Sequence, residues 1–463
     1  MKISQALLKK YNVSGPRYTS YPTALQFDPL FTEKHYRWHI EDSNQHPIPK
    51  PISLYLHIPF CHSLCYYCGC HKFITRNAKK VNTYLAALHK EINLQAALFD
   101  NDREIKQIHF GGGTPTYLGA EQIAHLLYTI KQNFTLAKKT DLEISIEIDP
   151  RGMNASDIQA LADIGFNRMS FGVQDFDHQV QIAINRVQDK DLTLELLQAA
   201  RSANIQSIST DIIYGLPKQT HDSFKATLET IVNARPDRIA LYNYAHMPDR
   251  IKSQKLIHAT DLPSSDEKLA LMELSIETLT AADYLHIGMD HFALAKDPLS
   301  RSLKQKKLQR NFQGYSTHGD CDTIGLGVSA ISQINDGYSQ NDKSLDIYNS
   351  SIKNNRLAVA RGYALTQDDQ LRAAVIQQLM CQRTVNFEEF NHLYHIHFIT
   401  YFQTELNNLS PMIEDKLLTL NKQGLQITNK GCLFLRNIAM VFDAYLSTKD
   451  PSDEQSLRFS KVL

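Results

Sequence analysis

The sequence has no excess of charge of either sign and no long apolar run. Lysine plus arginine and aspartate plus glutamate each number 49 in 463 residues, so the formal net charge is zero. Nucleic-acid-binding proteins usually have a basic excess, and its absence argues against that class. The apolar stretches are far shorter than the ~20 residues that span a bilayer. The first residues, MKISQALLKKYN, also lack the apolar core of a signal peptide.

Cysteine is scarce and unevenly distributed. The sequence has seven cysteines, an odd number, and four of them lie between positions 61 and 70. Such a pattern does not form a disulfide framework and suits a reducing compartment. The length is sufficient for two or three domains with a large core. We therefore predict a cytoplasmic, multidomain, monomeric protein with neither membrane insertion nor a nucleic-acid partner.

Hydrophobic periodicity alternates between strand and helix from about residue 52. Strand-like runs are predicted at 52–58, 104–110, 142–148, 168–174, 207–215 and 238–245. Helix-like stretches lie between them, for example at 81–99, 120–130 and 222–234. Repeated β-then-α units predict a parallel sheet with helices outside it. Six units cannot close an eight-stranded barrel, so we predict an α/β fold with an open partial (β/α)6 barrel.

The rest of the chain is arranged around this barrel. We predict an N-terminal lid or extension over 1–50, the barrel over 51–295, a connecting region that completes the site over 296–360, and a mostly helical C-terminal domain over 361–463. A β-hairpin is predicted at 417–431, with its turn near Gly424. Helices with a hairpin are typical of winged-helix modules. A structural role is favoured here because no basic recognition face is evident.

Three cysteines follow the first predicted strand in the segment CHSLCYYC. Cys61, Cys65 and Cys68 are separated by three and two residues. A cubane iron–sulfur cluster has four irons and is normally held by four thiolates. Three thiolates leave one iron without a protein ligand, and an open coordination position is typical of a catalytic metal centre. The spacing therefore predicts a catalytic cluster.

Two other readings of this loop remain open from the residues alone. A zinc loop is one, because His57, His62 and His71 flank the cysteines. A ferredoxin-type electron-transfer cluster is the other, although the two-residue gaps and final Cys-Pro of the bacterial run are absent. Cys70 could act as a fourth thiolate. We expect a non-ligand there, since one residue between Cys68 and Cys70 would strain a shared cubane.

Glycines and polar side chains mark the ends of the other predicted strands. The segment GGGTPTYL (111–118) follows the second strand, and glycines there allow a ligand to approach the backbone closely. Glu147 lies late in the third strand, Gln174 ends the fourth and Asp211 lies in the fifth, while YNYAHMP (242–248) ends the sixth. Because ligands bind at the carboxyl ends of parallel strands, these segments predict one ligand-lined mouth.

These motifs resemble a known family. The cysteine spacing is similar to that of radical S-adenosylmethionine (SAM) enzymes. The segments YNVSGPRYTSYPTA, LHIPFCHSLCYYCGC, GGGTPTYL, EIDPRG, SFGVQDF, DIIYGLPKQT, NYAH, IGMDHFA and RNFQGYSTHGD together resemble oxygen-independent coproporphyrinogen III oxidase over nearly the whole chain. The resemblance implies an oxidoreductase of haem biosynthesis that converts two propionates of coproporphyrinogen III to vinyl groups. It implies a 4Fe-4S cluster, two SAM molecules and an external one-electron donor.

The resemblance also implies roles for individual residues. The implied cluster ligands are Cys61, Cys65 and Cys68, and the implied contacts of the cluster-bound SAM are Tyr55, Gly112 and Glu147. The second SAM site would be lined by Tyr67, Gly113, Thr114, Gln174, Arg186, Asp211, Ala245 and Ile331. Tyr67 stands where the family has phenylalanine, and Val187 stands where it has glutamate.

The substrate has up to four negative charges, and arginine's planar fork suits carboxylates. Arg17 and Arg310 are therefore predicted to hold the propionates, and Tyr18 and Tyr21 to form part of a lid. The alternative within the superfamily is a haem-binding chaperone. Cys70 argues against it, because those relatives tend to carry phenylalanine at this position.

Overall fold

The computed structural model of the chain describes residues 5–446 and 459–461. A twelve-stranded sheet forms its centre. We number its strands in chain order: β1 (Ile52–Ile58), β2 (Ile105–Gly112), β3 (Glu143–Ile148), β4 (Arg168–Gln174), β5 (Ser207–Tyr214), β6 (Arg238–Asn243), β7 (Tyr284–Gly288), β8 (His291–Leu294), β9 (Asp322–Leu326), β10 (Ile331–Ile334), β11 (Gly337–Asn341) and β12 (Val359–Ala364).

The sheet has the order β12-β11-β10-β9-β1-β2-β3-β4-β5-β6-β8-β7. Strands β9 and β1 to β6 form a run of seven strands that are parallel to one another. Antiparallel strands extend both sides, with β10 to β12 at one edge and β8 and β7 at the other. The two edge strands do not pair with each other, so the sheet is open. The predicted α/β fold and its six consecutive parallel strands are confirmed.

Strand β9 lies outside the strands that the periodicity predicts. It pairs in parallel with β1, from Ile52 opposite Asp322 to Leu56 opposite Leu326. Its sequence, DTIGL, begins with aspartate and contains glycine, two residue types that are depleted in strands. The region 296–360 therefore does more than connect two domains, because it supplies β9, β10 and β11 to the main sheet.

Helices cover the sheet and build the C-terminal region. The α-helices are Gln5–Tyr11, Glu33–Asn44, Ala78–Ala96, Ala120–Asn133, Ala155–Ile164, His178–Ala183, Lys190–Ser202, His221–Ala234, Ser265–Ala281, Pro298–Lys304, Leu345–Lys353, Gln367–Gln382, Phe387–Tyr394, Phe398–Tyr401, Gln403–Asn408, Ser410–Glu414 and Leu435–Met440. Short 3-10 turns are Ala24–Gln26, Pro115–Tyr117, Lys252–Leu256, Ala259–Asp261 and Gly431–Phe434. Among the described helices, none is both long enough and apolar enough to cross a bilayer.

The helix after the cysteine loop, Ala78–Ala96, shows how the sheet is covered. Asn77 caps its first turn by accepting a hydrogen bond from the Lys80 backbone N–H. Its buried side chains recur at helical spacing, for example at Leu85, Leu88 and Ile92, and they join the core that the parallel strands form. Packing of this kind holds each parallel strand in place, so the loops that follow the strands meet at one edge of the sheet.

The remaining strands of the described residues form three small sheets. In the C-terminal region Leu418–Leu420 and Gly424–Ile427 form the predicted hairpin, and Thr384–Asn386 pairs with the second of these strands. The hairpin turn lies at residues 421–423, just before Gly424. Two-stranded sheets join Phe60–Cys61 to Phe73–Ile74 and Gln309–Asn311 to Gly314–Ser316.

The N-terminal segment is anchored in the C-terminal region. Tyr18 is 4% exposed and Tyr21 is 3% exposed. The Tyr18 hydroxyl donates to Asp443 Oδ2 at 2.9 Å, and the Tyr21 hydroxyl accepts from the Ala444 N–H at 3.0 Å. These two tyrosines therefore anchor the segment rather than cover the mouth. The lid function predicted for residues 1–50 then depends on other residues, of which Arg17 is the candidate.

Candidate active site

The cysteine loop directly follows β1 and is tied down at several points. Cys61 lies in the two-stranded sheet with Phe73–Ile74, and its carbonyl accepts from the Thr75 N–H at 3.3 Å. In the middle of the loop the Tyr66 N–H donates to the Ile184 carbonyl at 2.9 Å. These hydrogen bonds hold the loop against β1 and against the segment after the helix His178–Ala183.

The three predicted cluster ligands lie in polar, mostly buried surroundings. Cys61 and Cys65 are buried, Cys68 is half-buried, and all three are free thiols. Cys61 Sγ accepts a hydrogen bond from Thr114 Oγ1 at 3.3 Å. Cys65 Sγ lies 3.6 Å from a guanidinium nitrogen of Arg151 and of Arg186. Three sulfur donors beside two cations fit an anionic iron–sulfur cluster, since the cations balance its charge.

Two of the three histidines beside the loop, His57 and His62, already have partners, whereas His71 Nε2 is buried without a hydrogen-bond partner among the described residues. His57 Nδ1 lies 3.1 Å from the Tyr55 hydroxyl, and Nε2 lies 3.0 Å from the His71 carbonyl oxygen, so both ring nitrogens have partners. Burial lowers the pKa of His57 to about 4. His62 stacks on Tyr117 with its ring centroid 4.2 Å away.

Cys70 differs from the three predicted ligands in its surroundings. It is exposed, whereas the others are buried or half-buried. A hydrogen bond from the Cys70 thiol lowers the pKa of Cys68 to about 6. Cys70 therefore lies beside Cys68 at the solvent side of the loop, which supports its prediction as a neighbour that does not ligate the cluster.

The residues predicted for the cluster-bound SAM lie together. The Gly112 N–H donates to Glu147 Oε2 at 3.1 Å. A Cβ atom on the preceding Gly111 would lie 2.9 Å from Tyr55 Cε2 and 3.0 Å from Glu147 Oε1, so both side chains border this glycine. The aromatic ring, the backbone and the carboxylate converge where β1, β2 and β3 end. A carboxylate and a bare backbone suit the amino group and the methionine chain of SAM.

Gly112→Ala should disrupt this corner of the site. Gly112 has φ +124°, and an added Cβ would lie 2.7 Å from His57 Nδ1 and 2.9 Å from the Ile58 carbonyl oxygen. Strained backbone and overpacking each cost about 1–3 kcal/mol, so we expect a loss of at least about 2 kcal/mol in unfolding free energy, with weaker SAM binding. Gly119→Ala is the matched control, because a Cβ there would meet nothing within 4 Å. Equal melting temperatures for the two variants would contradict the expectation.

Three residues predicted for the second SAM surround Gly172. A Cβ atom on Gly172 would lie 3.0 Å from both Arg186 Nη2 and Gln174 Nε2. Gly172 pairs in register with Asp211, whose Oδ1 accepts from the Ser170 hydroxyl at 3.2 Å. Gln174 has φ 68° and follows an irregularity in the β4–β5 pairing. A bulge of this kind redirects a side chain at a strand end.

Tyr67 and Ala245 are joined through one glutamine. Gln254 Nε2 donates to the Tyr67 carbonyl at 2.9 Å and to the Ala245 carbonyl at 3.1 Å. Val187, where the family has glutamate, is 53% exposed. Valine in place of glutamate at position 187 therefore leaves the buried contacts of the neighbouring Arg186 intact.

The remaining residues of the second set lie closer to β1. Gly113 packs against Pro59, and its N–H donates to the Ile58 carbonyl at 2.8 Å, next to Thr114. Ile331 begins β10, and its backbone packs against Gly325 of β9. Within the sheet, Ile331 is separated from Asp211 by the strands β9 and β1 to β4. Gln174, Arg186 and Asp211 thus lie together around Gly172, whereas Ile331 lies in a distant strand of the sheet.

Sequence reasoning missed the acidic partner of the arginines at the cluster loop. Asp149 accepts from Arg151 Nη2 at 2.7 Å and from Arg186 Nη1 at 3.2 Å. Burial opposes ionisation of Asp149, but Arg186 and Arg151 outweigh it and hold its pKa below the usual value. The signal was present in the segment EIDPRG, which contains Asp149 and Arg151 directly after Glu147.

The pKa of Asp211 is shifted in the opposite direction to that of Asp149. Burial, and then the neighbouring Glu147 carboxylate, raises its pKa from 3.8 to about 7. The folded protein therefore keeps this proton at a pH where the unfolded chain has released it. Each unit of pH between the two values lowers stability by about 1.4 kcal/mol.

Asp211→Asn should remove this pH dependence while keeping an acceptor for Ser170. We expect the stability of the variant relative to wild type to rise by about 2–3 kcal/mol between pH 5 and pH 8, measured by denaturant unfolding without cofactors. Asp415→Asn is the control. Hydrogen bonds from Lys10 and Tyr11 hold the pKa of Asp415 below its usual value, so its contribution should stay constant over this range. A constant difference for Asp211→Asn would refute the raised pKa.

The two predicted substrate arginines contact each other. Arg310 Nε donates to the Arg17 carbonyl at 3.3 Å, and Arg17 pairs with Asp290 and lies over the Tyr242 ring at 5.6 Å. Arg310 is 7% exposed, and its Nη1 is buried without a hydrogen-bond partner among the described residues. Burial and then the nearby Arg310 lower the pKa of Arg17, as expected where two guanidinium groups repel. This part of the mouth therefore attracts anions.

A cavity of about 1480 Å³ lies next to this pair. Arg17, Asn243, Ala245, Asp290 and Arg436 are among its lining residues. It therefore joins the ends of β6 and of the N-terminal segment to the C-terminal region. Its volume exceeds the ~300–1000 Å³ typical of small-molecule sites, so a large ligand can enter.

Comparisons with known proteins show the family to which the chain belongs. The model of the radical SAM superfamily matches residues 55–231, and that of the HemN C-terminal domain matches residues 365–434. The oxygen-independent coproporphyrinogen III oxidase of Salmonella typhimurium is 46% identical over 458 residues, which are 99% of this chain and 98% of the relative. That of Pseudomonas aeruginosa is 44% identical over 457 residues, with the same shares. This chain belongs to the oxygen-independent coproporphyrinogen III oxidase family.

A solved structure agrees with the family assignment. Coproporphyrinogen III oxidase (HemN) from Escherichia coli, described as a radical SAM enzyme, matches with a TM-score of 0.90 and 43% identity. The match covers 96% of this chain and 100% of the solved chain. As a member of the oxygen-independent coproporphyrinogen III oxidase family, the chain is a radical SAM oxidoreductase with a 4Fe-4S cluster and SAM as cofactors.

Proposed function

We propose that the chain catalyses the oxygen-independent oxidative decarboxylation of coproporphyrinogen III to protoporphyrinogen IX in haem biosynthesis. Family membership supports this reaction. The observation that carries the substrate assignment is the buried Nη1 of Arg310, which lacks a partner in the described part of the chain. A buried cationic donor without a partner is costly unless a ligand anion completes it.

The cysteine loop and the carboxyl ends of the parallel strands provide the residues that would hold the cofactors. Cys61, Cys65 and Cys68 would hold the cluster, and Tyr55, Gly112 and Glu147 would hold the SAM bound to it. A second SAM would be held by Tyr67, Gly113, Thr114, Gln174, Arg186, Asp211, Ala245 and Ile331. When bound, the reduced cluster and SAM supply the 5′-deoxyadenosyl radical that removes a hydrogen atom from a propionate side chain.

Tyr242 lies between the cofactor residues and the substrate arginines. Burial and then the Asp211 carboxylate raise its pKa, while Arg17 and Arg310 oppose the rise. The ring is therefore within electrostatic reach of both groups. Arg17 and Arg310 would hold propionate carboxylates while the Tyr242 ring packs against the macrocycle. The burial of Arg310 would help to keep water from the reacting carbon.

We further propose that the enzyme is a cytoplasmic monomer that receives electrons from an external one-electron donor and acts without nucleic acid or membrane insertion. The seven cysteines are all free, which supports a reducing compartment. We assign the barrel at 51–295 to radical generation and the regions 1–50 and 296–360 to completing the substrate side. The C-terminal domain at 361–463 would support both.

Anaerobic product analysis tests the proposed reaction. Reconstituted protein would be incubated with coproporphyrinogen III, SAM and a one-electron reductant, and the porphyrins analysed after oxidation. We expect two propionates to become vinyl groups, with 5′-deoxyadenosine formed in step. Tight haem binding with no loss of carbon dioxide would contradict the proposal and support a chaperone.

A further inference from the structure

A second group of metal-binding side chains lies far from the cysteine loop. His318, Asp320 and Cys321 each offer one ligand atom, and these atoms all lie within 4.8 Å of one another. They lie in the loop between the strand Gly314–Ser316 and β9. Because this loop precedes β9, it lies at the amino-terminal edge of the parallel strands, whereas the cysteine loop follows β1 at the carboxyl edge.

The histidine of this group is held by a carboxylate. His318 Nε2 lies 3.3 Å from Glu143 Oε1 at the start of β3. The same oxygen accepts from Arg168 Nη2 at 2.5 Å and from Thr317 Oγ1 at 3.2 Å, so it is firmly positioned. A carboxylate on one ring nitrogen is the usual partner of a metal-ligating histidine, since it orients the ring and leaves the other nitrogen for the metal.

The group is open to solvent on one side. The His318 side chain is 17% exposed and Cys321 is half-buried, while the Asp320 side chain is 62% exposed. Lys106 Nζ lies 3.7 Å from Asp320 Oδ2, a solvent-exposed ion pair that contributes little stability and can be displaced. A metal ion can therefore enter beside Asp320 and keep a water molecule as its fourth ligand.

We propose that His318, Asp320 and Cys321 form a zinc site. One thiolate, one imidazole and one carboxylate are the ligand types that Zn²⁺ takes, and three protein ligands with one water complete a tetrahedron. Softer thiolate and imidazole ligands disfavour Mg²⁺ and Ca²⁺, which prefer oxygen. The ion would hold together the loop 317–321, which directly precedes β9, and would link it through Glu143 to β3. Its role is to stabilise the amino-terminal edge of the sheet.

Zinc and iron analysis of the cluster-loaded enzyme tests this site. Protein would be equilibrated anaerobically with a zinc buffer at submicromolar free Zn²⁺, then freed of unbound metal and analysed for both elements. We expect one zinc per chain in wild type, with the iron content unchanged. Cys321→Ser and His318→Gln should each bind zinc at least tenfold more weakly and keep their iron. Their iron content also shows that the variants have folded.

His221→Gln is the matched control. His221 lies on the surface with Nδ1 3.4 Å from Asp222 Oδ1, a histidine–aspartate pair like the proposed one but without the neighbouring thiol. The His221→Gln variant should bind as much zinc as wild type.

Zinc X-ray absorption of the wild-type enzyme should show one sulfur ligand. No retained zinc in wild type, equal zinc in Cys321→Ser, or a spectrum with three sulfurs, which would locate the ion in the cysteine loop, would overturn the proposal.

Discussion

Cys65→Ala should lose the iron–sulfur cluster and all decarboxylase activity. Cys65 is buried, and its Sγ lies 3.6 Å from a guanidinium nitrogen of both Arg151 and Arg186, so it is held inside the loop beside two cations. Without it, two thiolates remain for a cubane that normally needs at least three. We expect wild type to bind about four irons per chain and the variant almost none, with no visible absorption from the cluster.

Cys70→Ser is the control for this experiment. Cys70 is a cysteine of the same loop but is exposed, and its substitution should leave iron content and SAM cleavage close to wild type. Cys61→Ala and Cys68→Ala should behave like Cys65→Ala. If Cys70→Ser alone lost its iron while the other three variants kept theirs, the ligand assignment would have to be abandoned.

Arg310→Gln should bind the substrate far more weakly while it keeps both cofactors. The side chain is buried with an unpartnered Nη1, and a hydrogen bond to a charged group contributes about 1.5–3 kcal/mol. Loss of one such bond corresponds to about a 10- to 150-fold rise in the dissociation constant of coproporphyrinogen III. Iron content and SAM cleavage without substrate should stay unchanged, because the residues assigned to them lie on other strands. Binding can be followed by anaerobic titration.

Two further arginine variants show whether the effect on substrate binding is specific to Arg310. Arg301→Gln removes an exposed arginine from the helix Pro298–Lys304 and should bind substrate like wild type. Arg17→Ala should have a smaller effect than Arg310→Gln, since Arg17 already pairs with Asp290 and is 35% exposed. Full substrate affinity in Arg310→Gln would show that the propionates bind elsewhere.

Much of the parallel sheet can be read from the sequence. Buried parallel strands are apolar on both faces, and ISLYLHI and RMSFGVQ coincide with β1 and β4 at both ends. β9 is different, because DTIGL is short and contains a glycine that packs against Ile331. Its strand conformation is imposed by its pairing with β1, and local periodicity cannot report a partner so distant in the chain.

In the candidate site, too, some features can be predicted from the local sequence and others depend on distant contacts. Glu147 and Gln174 can be found because they lie at or near the ends of predicted strands, and the cysteines because of their spacing. The link between Tyr67 and Ala245 through Gln254 cannot be found in this way, since the cysteine loop meets the connection after β6 there. Asp290 is another example. It balances Arg17 only because β7 and β8 turn back against β6, and no local pattern predicts that contact.

The pairing of β1 with β9 also has a consequence for the order of folding. β1 is an early strand, yet one of its two neighbours is made only after most of the chain has been synthesised. Contacts so distant in sequence form slowly, and until then β1 presents an unpaired edge to other chains. A nascent chain that ends before residue 322 therefore carries the cysteine loop beside an open strand edge. Chaperone protection during synthesis, and cluster insertion after release from the ribosome, are the expected order of events for this protein.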